Sequence, residues 1–395
     1  MTSIDDSKVI VTGAAQTRFN RRKDNSSFRD WAAEAFNAAL EMAGIDRAEI
    51  DALFVASESD FFSLQLNPVA LFASELGLHG VAGTRCEAGG ASGQVAVQSA
   101  AQAVLSGQAR HVAVIGVDPS ASSLSGDMIR TLYGFSFDAM TDGFSGVTAT
   151  ALYALSWQIF AAEHGFGDDE LACVTLQNRA NACANPDAHL PRTDTADEIA
   201  ESPMIASPYR RLHCSPLSDG AAALILSDAA YVPAARERAS RIAGMGAATD
   251  HMHLGVRDDP GMFSAKRKAM QHACRHAGIA PGDLGLAEIY DSFAGAQLQG
   301  LAALGLTDAP GADLENGAFS PNGRCPVNLS GGLMGQGAPV GAIGVAQVAA
   351  CARMLEGTYH EELQPSSPPA YALADTHGAV CTTAAVTILQ NGGAA

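Results

Sequence analysis

EAGGASGQVAVQSAAQAVLSG, residues 87–107, and LSGGLMGQGAPVGAIGVAQVAACARMLEG, residues 329–357, are two versions of one pattern. Each opens on a glycine-rich turn and runs on into a helix-like series of small and apolar residues. No Asp, Glu, Lys or Arg occurs from Ala88 to Ala109, nor from Cys325 to Ala352. A helix without a charged face is either buried on all sides or spans a membrane. Both runs mix Gly, Gln and Ser into the apolar series, and the second carries Pro326 and Pro339, which speaks against a span. The pattern predicts two enclosed central helices, one from each half of the chain, lying between two sheets.

Working outward, the flanks repeat as well. KVIVTGAA (8–15) reads as a strand and SFRDWAAEAFNAALEMAG (27–44) as a helix stopped by Gly44. IDALFVASE (50–58), HVAVIGVDPS (111–120) and AAALILSDA (221–229) read as further strands. MAGIDRAEIDALFVASESD (42–60) joins a helix end to a strand, and HAGIAPGDLGLAEIYDSFAG (276–295) does so again. Alternating helices and strands favour an α/β fold, and the replay predicts an internal duplication, with halves at 1–245 and 246–395. Residues 121–215 are less regular, with one clear helix around TATALYALSWQIFAAEHG.

Composition narrows the function. The 395 residues include 47% hydrophobic and 17% charged side chains, as in a compact protein with much buried surface. A net charge of −18 argues against nucleic acid, whose phosphates need a basic face, and leaves room for a local basic pocket. MTSIDDSKVIVTGAAQ carries early acids and is no signal peptide, so a cytoplasmic protein is expected. The eight cysteines are scattered without a CxxC pair and read as reduced, mostly packed thiols. His251 and His253 have HxH spacing but no third ligand, so no metal is expected.

EAGGASGQVAV (87–97), LHCSPLSDGAAALIL (212–226), AEIYDSFAGAQ (287–297), NLSGGLMGQGAPVGAIG (328–344) and ALADTHGAVCTTAAVTIL (372–389) together resemble the thiolase superfamily, in its sterol-carrier-protein and lipid-transfer-protein branch. The resemblance spans nearly the whole chain. It implies a duplicated five-layered αβαβα sandwich, a homodimer, acyl-CoA thioesters as substrates and no bound cofactor. Residues 121–215 would be the loop domain that helps form the CoA tunnel, and 372–389 the closing hairpin. Several members of this branch work with a small OB-fold protein that bears a zinc ribbon, so such a partner is also implied.

The resemblance departs where covalent chemistry would sit. Claisen enzymes of the superfamily place a nucleophilic Cys at the first central helix, where this chain has Gly90, and a His in a GHPxG motif, where this chain reads GAPVG with Ala338. Glycine cannot be acylated and alanine cannot take a proton, so the usual acyl-enzyme route is not expected. The amides at Gly90, Ala91 and Ala338 could hold a thioester oxygen or enolate, since the first N–H groups of a helix lack internal partners. They could equally serve only close packing of the two helices.

Tyr290, in EIYDSF, is the leading catalytic candidate. A thiolase-like retro-aldolase group carries a YD-F motif and also lacks the Cys. It carries a second tyrosine before the second central helix, which this chain lacks. A retro-aldol cleavage needs a base and a stabilised enolate but no nucleophile. His377 and Cys381, in THGAVCTT, come next; either Thr376 or His377 matches the second catalytic position of the family. Three functions stay open: a retro-aldol lyase, a Claisen acyltransferase with Cys381 or Cys86 as relocated nucleophile, and a non-catalytic acyl-CoA or lipid-binding subunit. Cys214 is expected to pack.

Overall fold

The computed structural model describes residues 8–21 and 25–393; the early acids read against a signal peptide lie outside them. Nine strands form one sheet: β1 (Val9–Gln16), β2 (Ala52–Ala56), β3 (Ala82–Cys86), β4 (His111–Pro119), β5 (Asp219–Asp228), β6 (Arg241–Thr249), β7 (Ala287–Glu288), β8 (Tyr371–Gly378) and β9 (Thr383–Gln390). Their spatial order is β3-β2-β4-β5-β1-β6-β9-β8-β7.

That order shows the duplication directly. β2 lies parallel to β4, β4 antiparallel to β5, and β5 antiparallel to β1. In the second half β7 lies parallel to β8, β8 antiparallel to β9, and β9 antiparallel to β6. Even the edge repeats: β3 lies parallel to β2, and Val327 bridges in parallel to Ala287. The halves meet at β1 and β6, which share one paired position, Ile10 with Arg241. β6 runs across the expected division at 245/246.

The outer layers are amphipathic helices. α1 (Phe28–Ala43) starts where the Ser27 N–H donates to the Asp30 carboxylate at 2.8 Å and stops at Gly44 in the left-handed region, φ 64°. It covers β1, β4 and β5. The central layer is α2 (Ser92–Leu105) with α8 (Val340–Leu355), the two uncharged runs. α8 packs on β1, β4 and β5 of one half and β8 of the other. Within it only Arg353 escapes full burial. The backbones cross so closely that a Cβ on Gly93 would lie 2.8 Å from the Gly344 Cα. Glycine is therefore required there. On the far side α6 (Ser264–Ala277) covers β6 and β9.

Between β4 and β5 the chain is more helical than its sequence suggested. It holds α3 (Gly126–Gly134), α4 (Ala149–His164) and α5 (Asp168–Cys183). Only α4 was legible. A further helix, α7 (Ala294–Ala303), follows the EIYDSF stretch.

Candidate active site

Open α/β sheets present ligands at the carboxyl ends of their strands. Here Glu58 follows β2, Gly90 follows β3, Tyr290 follows β7 and His377 lies at the end of β8. The chain between β4 and β5 closes over them with Tyr133 of α3 and Tyr153 of α4. Together these line a mostly apolar cavity of about 320 Å³. The structure thus brings Gly90, Ala338, Tyr290 and His377 to one cavity, and leaves Ala91, Cys86 and Cys381 off its lining.

The EIYDSF stretch divides its labour. Glu288 accepts from the Ser330 N–H at 3.0 Å and from the Ser330 hydroxyl at 2.5 Å. Asp291 accepts from the Leu333 N–H at 2.6 Å and the Asn178 amide at 2.7 Å. Both acids tie the strand end to the second glycine-rich turn. Burial pushes their carboxyls up, Glu288 to about 7 and Asp291 to about 8. Tyr290, whose N–H donates to Asp375 at 3.2 Å, turns its ring to the cavity. Its centroid lies 4.7 Å from that of His377.

Burial raises the Tyr290 phenol well above its ordinary value, and the neighbours Tyr153, Glu58, Asp291 and Asp118 raise it further. The hydroxyl therefore stays protonated at neutral pH, which suits a hydrogen-bond donor or acid and disqualifies a resting-state base.

Gly90 explains its own identity. A Cβ at this position would lie 2.6 Å from the Tyr290 hydroxyl oxygen and 2.3 Å from the His377 carbonyl oxygen. The space a nucleophilic side chain would need is taken by the tyrosine hydroxyl. The neighbouring amides correct one expectation: Ala91 N–H already donates to the Ala88 carbonyl at 3.1 Å, and Ala338 N–H to the Ser218 hydroxyl at 3.0 Å. Neither is free to hold an oxyanion.

His377, rather than Thr376, faces the cavity. Its Nε2 lies 2.9 Å from the Tyr153 hydroxyl, which donates its one hydrogen to the Ala379 carbonyl. The network therefore assigns the N–H to Nε2 and a lone pair to Nδ1. Nδ1 has no hydrogen-bond partner among the described residues. Burial first, then the charges of Lys266 and Arg257, hold the imidazole well below its usual range and so neutral. Lys266 is itself fully buried and paired with Asp375.

The thiols contrast with one another. Burial pushes Cys381 up to about 12, and raises Cys86 as well. Cys214 was expected to pack, yet it lines the cavity; its thiol donates to the Arg210 carbonyl at 3.4 Å and burial pushes it up to about 12. A nucleophile needs the thiolate, which these sites disfavour. His253 Nδ1 lies 2.8 Å from Asp142, and no group of three or more candidate ligands that could hold a metal occurs among the described residues.

Sequence reasoning passed over Glu58, Tyr133 and Tyr153. Glu58 sits in FVASESD, and the only signal for it was its place just past a buried strand. Burial raises its carboxyl well above the ordinary range, helped by the nearby Asp118. The tyrosines lie in the stretch read as irregular or on a helix with no marked polar face.

Residues 9–230 match the thiolase N-terminal domain and residues 246–391 the thiolase C-terminal domain-like family. An acetyl-CoA acetyltransferase of Methanothermobacter thermautotrophicus is 35% identical over 353 residues, covering 88% of this chain and 91% of that one. The 17-hydroxy-3-oxo-4-pregnene-20-carboxyl-CoA lyase of Mycobacterium tuberculosis is 26% identical over 365 residues, covering 89% and 92%. Among solved structures, the Ltp2-ChsH2(DUF35) aldolase superposes with a TM-score of 0.82 over 100% of both chains, at 23% identity, a likeness of fold.

Proposed function

The chain belongs to the thiolase family of acyl-CoA enzymes, and on that premise we propose that it is a carbon–carbon lyase of retro-aldol type that forms no acyl-enzyme. The observation that carries this reading is the contact at Gly90, where the Tyr290 hydroxyl occupies the space a nucleophile would fill. A β-hydroxyacyl-CoA would lie with its thioester in the cavity. As the Cα–Cβ bond breaks, negative charge gathers on the thioester oxygen. The protonated Tyr290 hydroxyl donates to that oxygen, an interaction strongest where charge develops and in a site from which water is excluded. His377 and Tyr153 hold one wall through their mutual hydrogen bond. No bound cofactor is needed, because the electron pair passes only from the hydroxyl to the enolate.

The relatives named as acetyl-CoA acetyltransferases support a second reading, a Claisen acyltransferase, and at 35% identity they support it as well as the lyase relative supports the first. It would need a relocated cysteine, and Cys381 and Cys86 are buried away from the cavity lining. The solved aldolase is named for two components, which agrees with a partner protein such as an OB-fold zinc-ribbon subunit; a homodimer of this chain is proposed alongside it from the family resemblance alone.

The test is intact-mass analysis after incubation with acyl-CoAs and β-hydroxyacyl-CoAs. We expect release of an aldehyde or ketone and no hydroxylamine-sensitive adduct. An acyl adduct mapped to one cysteine would establish the Claisen route instead. Neither adduct nor carbonyl product would leave a binding subunit.

A further inference from the structure

A second cavity, of about 530 Å³, adjoins the first. The two share Glu58, Tyr133, Ser136 and Ala379 in their walls. The second has an apolar side built from Phe61, Phe62, Leu132, Phe135 and Met252. Phe61 and Phe135 are each 59% exposed, so its mouth is apolar too. Exposed aromatic side chains around a concavity mark a place where an apolar group is received.

At the junction stands an acid that meets only a tyrosine. Glu58 Oε2 and the Tyr133 hydroxyl are shielded from solvent and interact with each other, and neither atom has another hydrogen-bond partner among the described residues. The Glu58 N–H, by contrast, is fixed at 3.3 Å from the Asp118 carboxylate, which also accepts from the Gly341 N–H at 2.6 Å. The backbone is thus anchored to the start of α8 while the carboxyl is left to face both cavities. The buried acids elsewhere in the site, Glu288 and Asp291, are saturated with donors.

We propose that the second cavity receives the apolar carbonyl-side fragment of the substrate, and that Glu58, between the cavities, is the base for its β-hydroxyl. This rests on the lyase reading above. The thioester lies against Tyr290 in the first cavity, the β-carbon at the shared wall, and a bulky apolar substituent, an aromatic or alicyclic ring, beyond it. Glu58 takes the hydroxyl proton. The O–H pair forms the C=O bond, and the Cα–Cβ pair moves into the enolate held by Tyr290. The enolate carbon then recovers a proton from the Glu58 carboxyl, so the cycle consumes none.

Two variants separate the two parts. Leu132→Trp fills the second cavity, with Phe135→Trp as an independent filling variant; Glu58→Gln keeps shape and removes the base. Two substrates are compared, 3-hydroxybutanoyl-CoA and 3-hydroxy-3-(2-naphthyl)propanoyl-CoA. The filling variants should lower kcat/KM for the naphthyl substrate by about tenfold or more and leave the small one within about twofold. Glu58→Gln should lower kcat for both by about 100-fold with little change in KM. Equal effects of filling on both substrates, or none, would overturn the cavity assignment; unchanged kcat in Glu58→Gln would overturn the base. Direct binding of 2-naphthaldehyde, the carbonyl fragment of that substrate, in the presence of CoA should weaken about tenfold in Leu132→Trp. That arm reads the cavity without turnover. Tight aldehyde binding with no cleavage by the wild type therefore sinks the lyase reading and spares the cavity, whereas equal binding by Leu132→Trp sinks the cavity.

Discussion

At Gly90 the chain trades a nucleophile for a hydroxyl, and the exchange is steric before it is chemical. Gly90→Cys should not restore acyl transfer. The new side chain meets the Tyr290 hydroxyl and a fixed carbonyl, so a drop of about 1–3 kcal/mol in stability is expected, read as a lower Tm, with no acyl adduct in the intact mass. Tyr290→Phe keeps the ring and removes the donor. It should lower kcat by about 100-fold while acyl-CoA binding is retained; unchanged turnover would count against Tyr290. Tyr290 and His377 were legible because each stands in a motif at a strand end. Glu58 and Tyr153 were not, because no local pattern marks a lone acid after a strand, or a tyrosine that meets His377 from 224 residues away.

At the scale of elements, the strands and central helices declared themselves through period and through absence of charge, whereas α5 hid. Its polar residues looked like a loop. Asn178 and Asn181, with Asn185 just beyond, fall at i, i+3 and i+7 and so share a face. Asn181 donates to the Asn328 carbonyl at 2.9 Å, Asn185 to the Ser330 carbonyl at 2.8 Å, and Asn178 to Asp291. The stripe is a hydrogen-bonding rail for the second glycine-rich turn, and a hydrophobicity pattern does not register it. Asn181→Ala removes one of two donors to the Asn328 carbonyl, which keeps the Gly331 N–H at 2.9 Å, and should cost about 0.5–1.5 kcal/mol in chemical denaturation. A neutral result would mean that water takes the place of the amide.

Across the whole molecule, buried acids make stability depend on pH. Burial raises Asp118 and Glu288 to about 7 and Asp291 to about 8. Each holds a proton in the fold where the unfolded chain has released it, so the native state binds more protons up to that pH and stability falls as pH rises. The buried histidines act in the opposite sense, with His213 pulled down to about 4 and His377 well below its usual range. Their contribution rises with pH and is complete by about 6.5, the ordinary histidine value. Between about pH 6.5 and 8 the acids stand alone. Tm should therefore decline over that window, and Asp118→Asn should make the decline shallower. A Tm that climbs there would contradict the burial of these carboxyls.

The enclosure of α8 between the two halves also sets a schedule for biosynthesis. The N-terminal half ends its last strand at Asp228, and α2 covers part of its inner face, but the helix that completes the cover over β1, β4 and β5 begins only at Val340. A ribosome adding about 5–20 residues per second leaves that part open for roughly 5–25 s. For that interval the nascent chain carries a partly uncovered apolar sheet, a natural client for chaperones. The first half produced alone should aggregate and return to solution when the second half is supplied in trans.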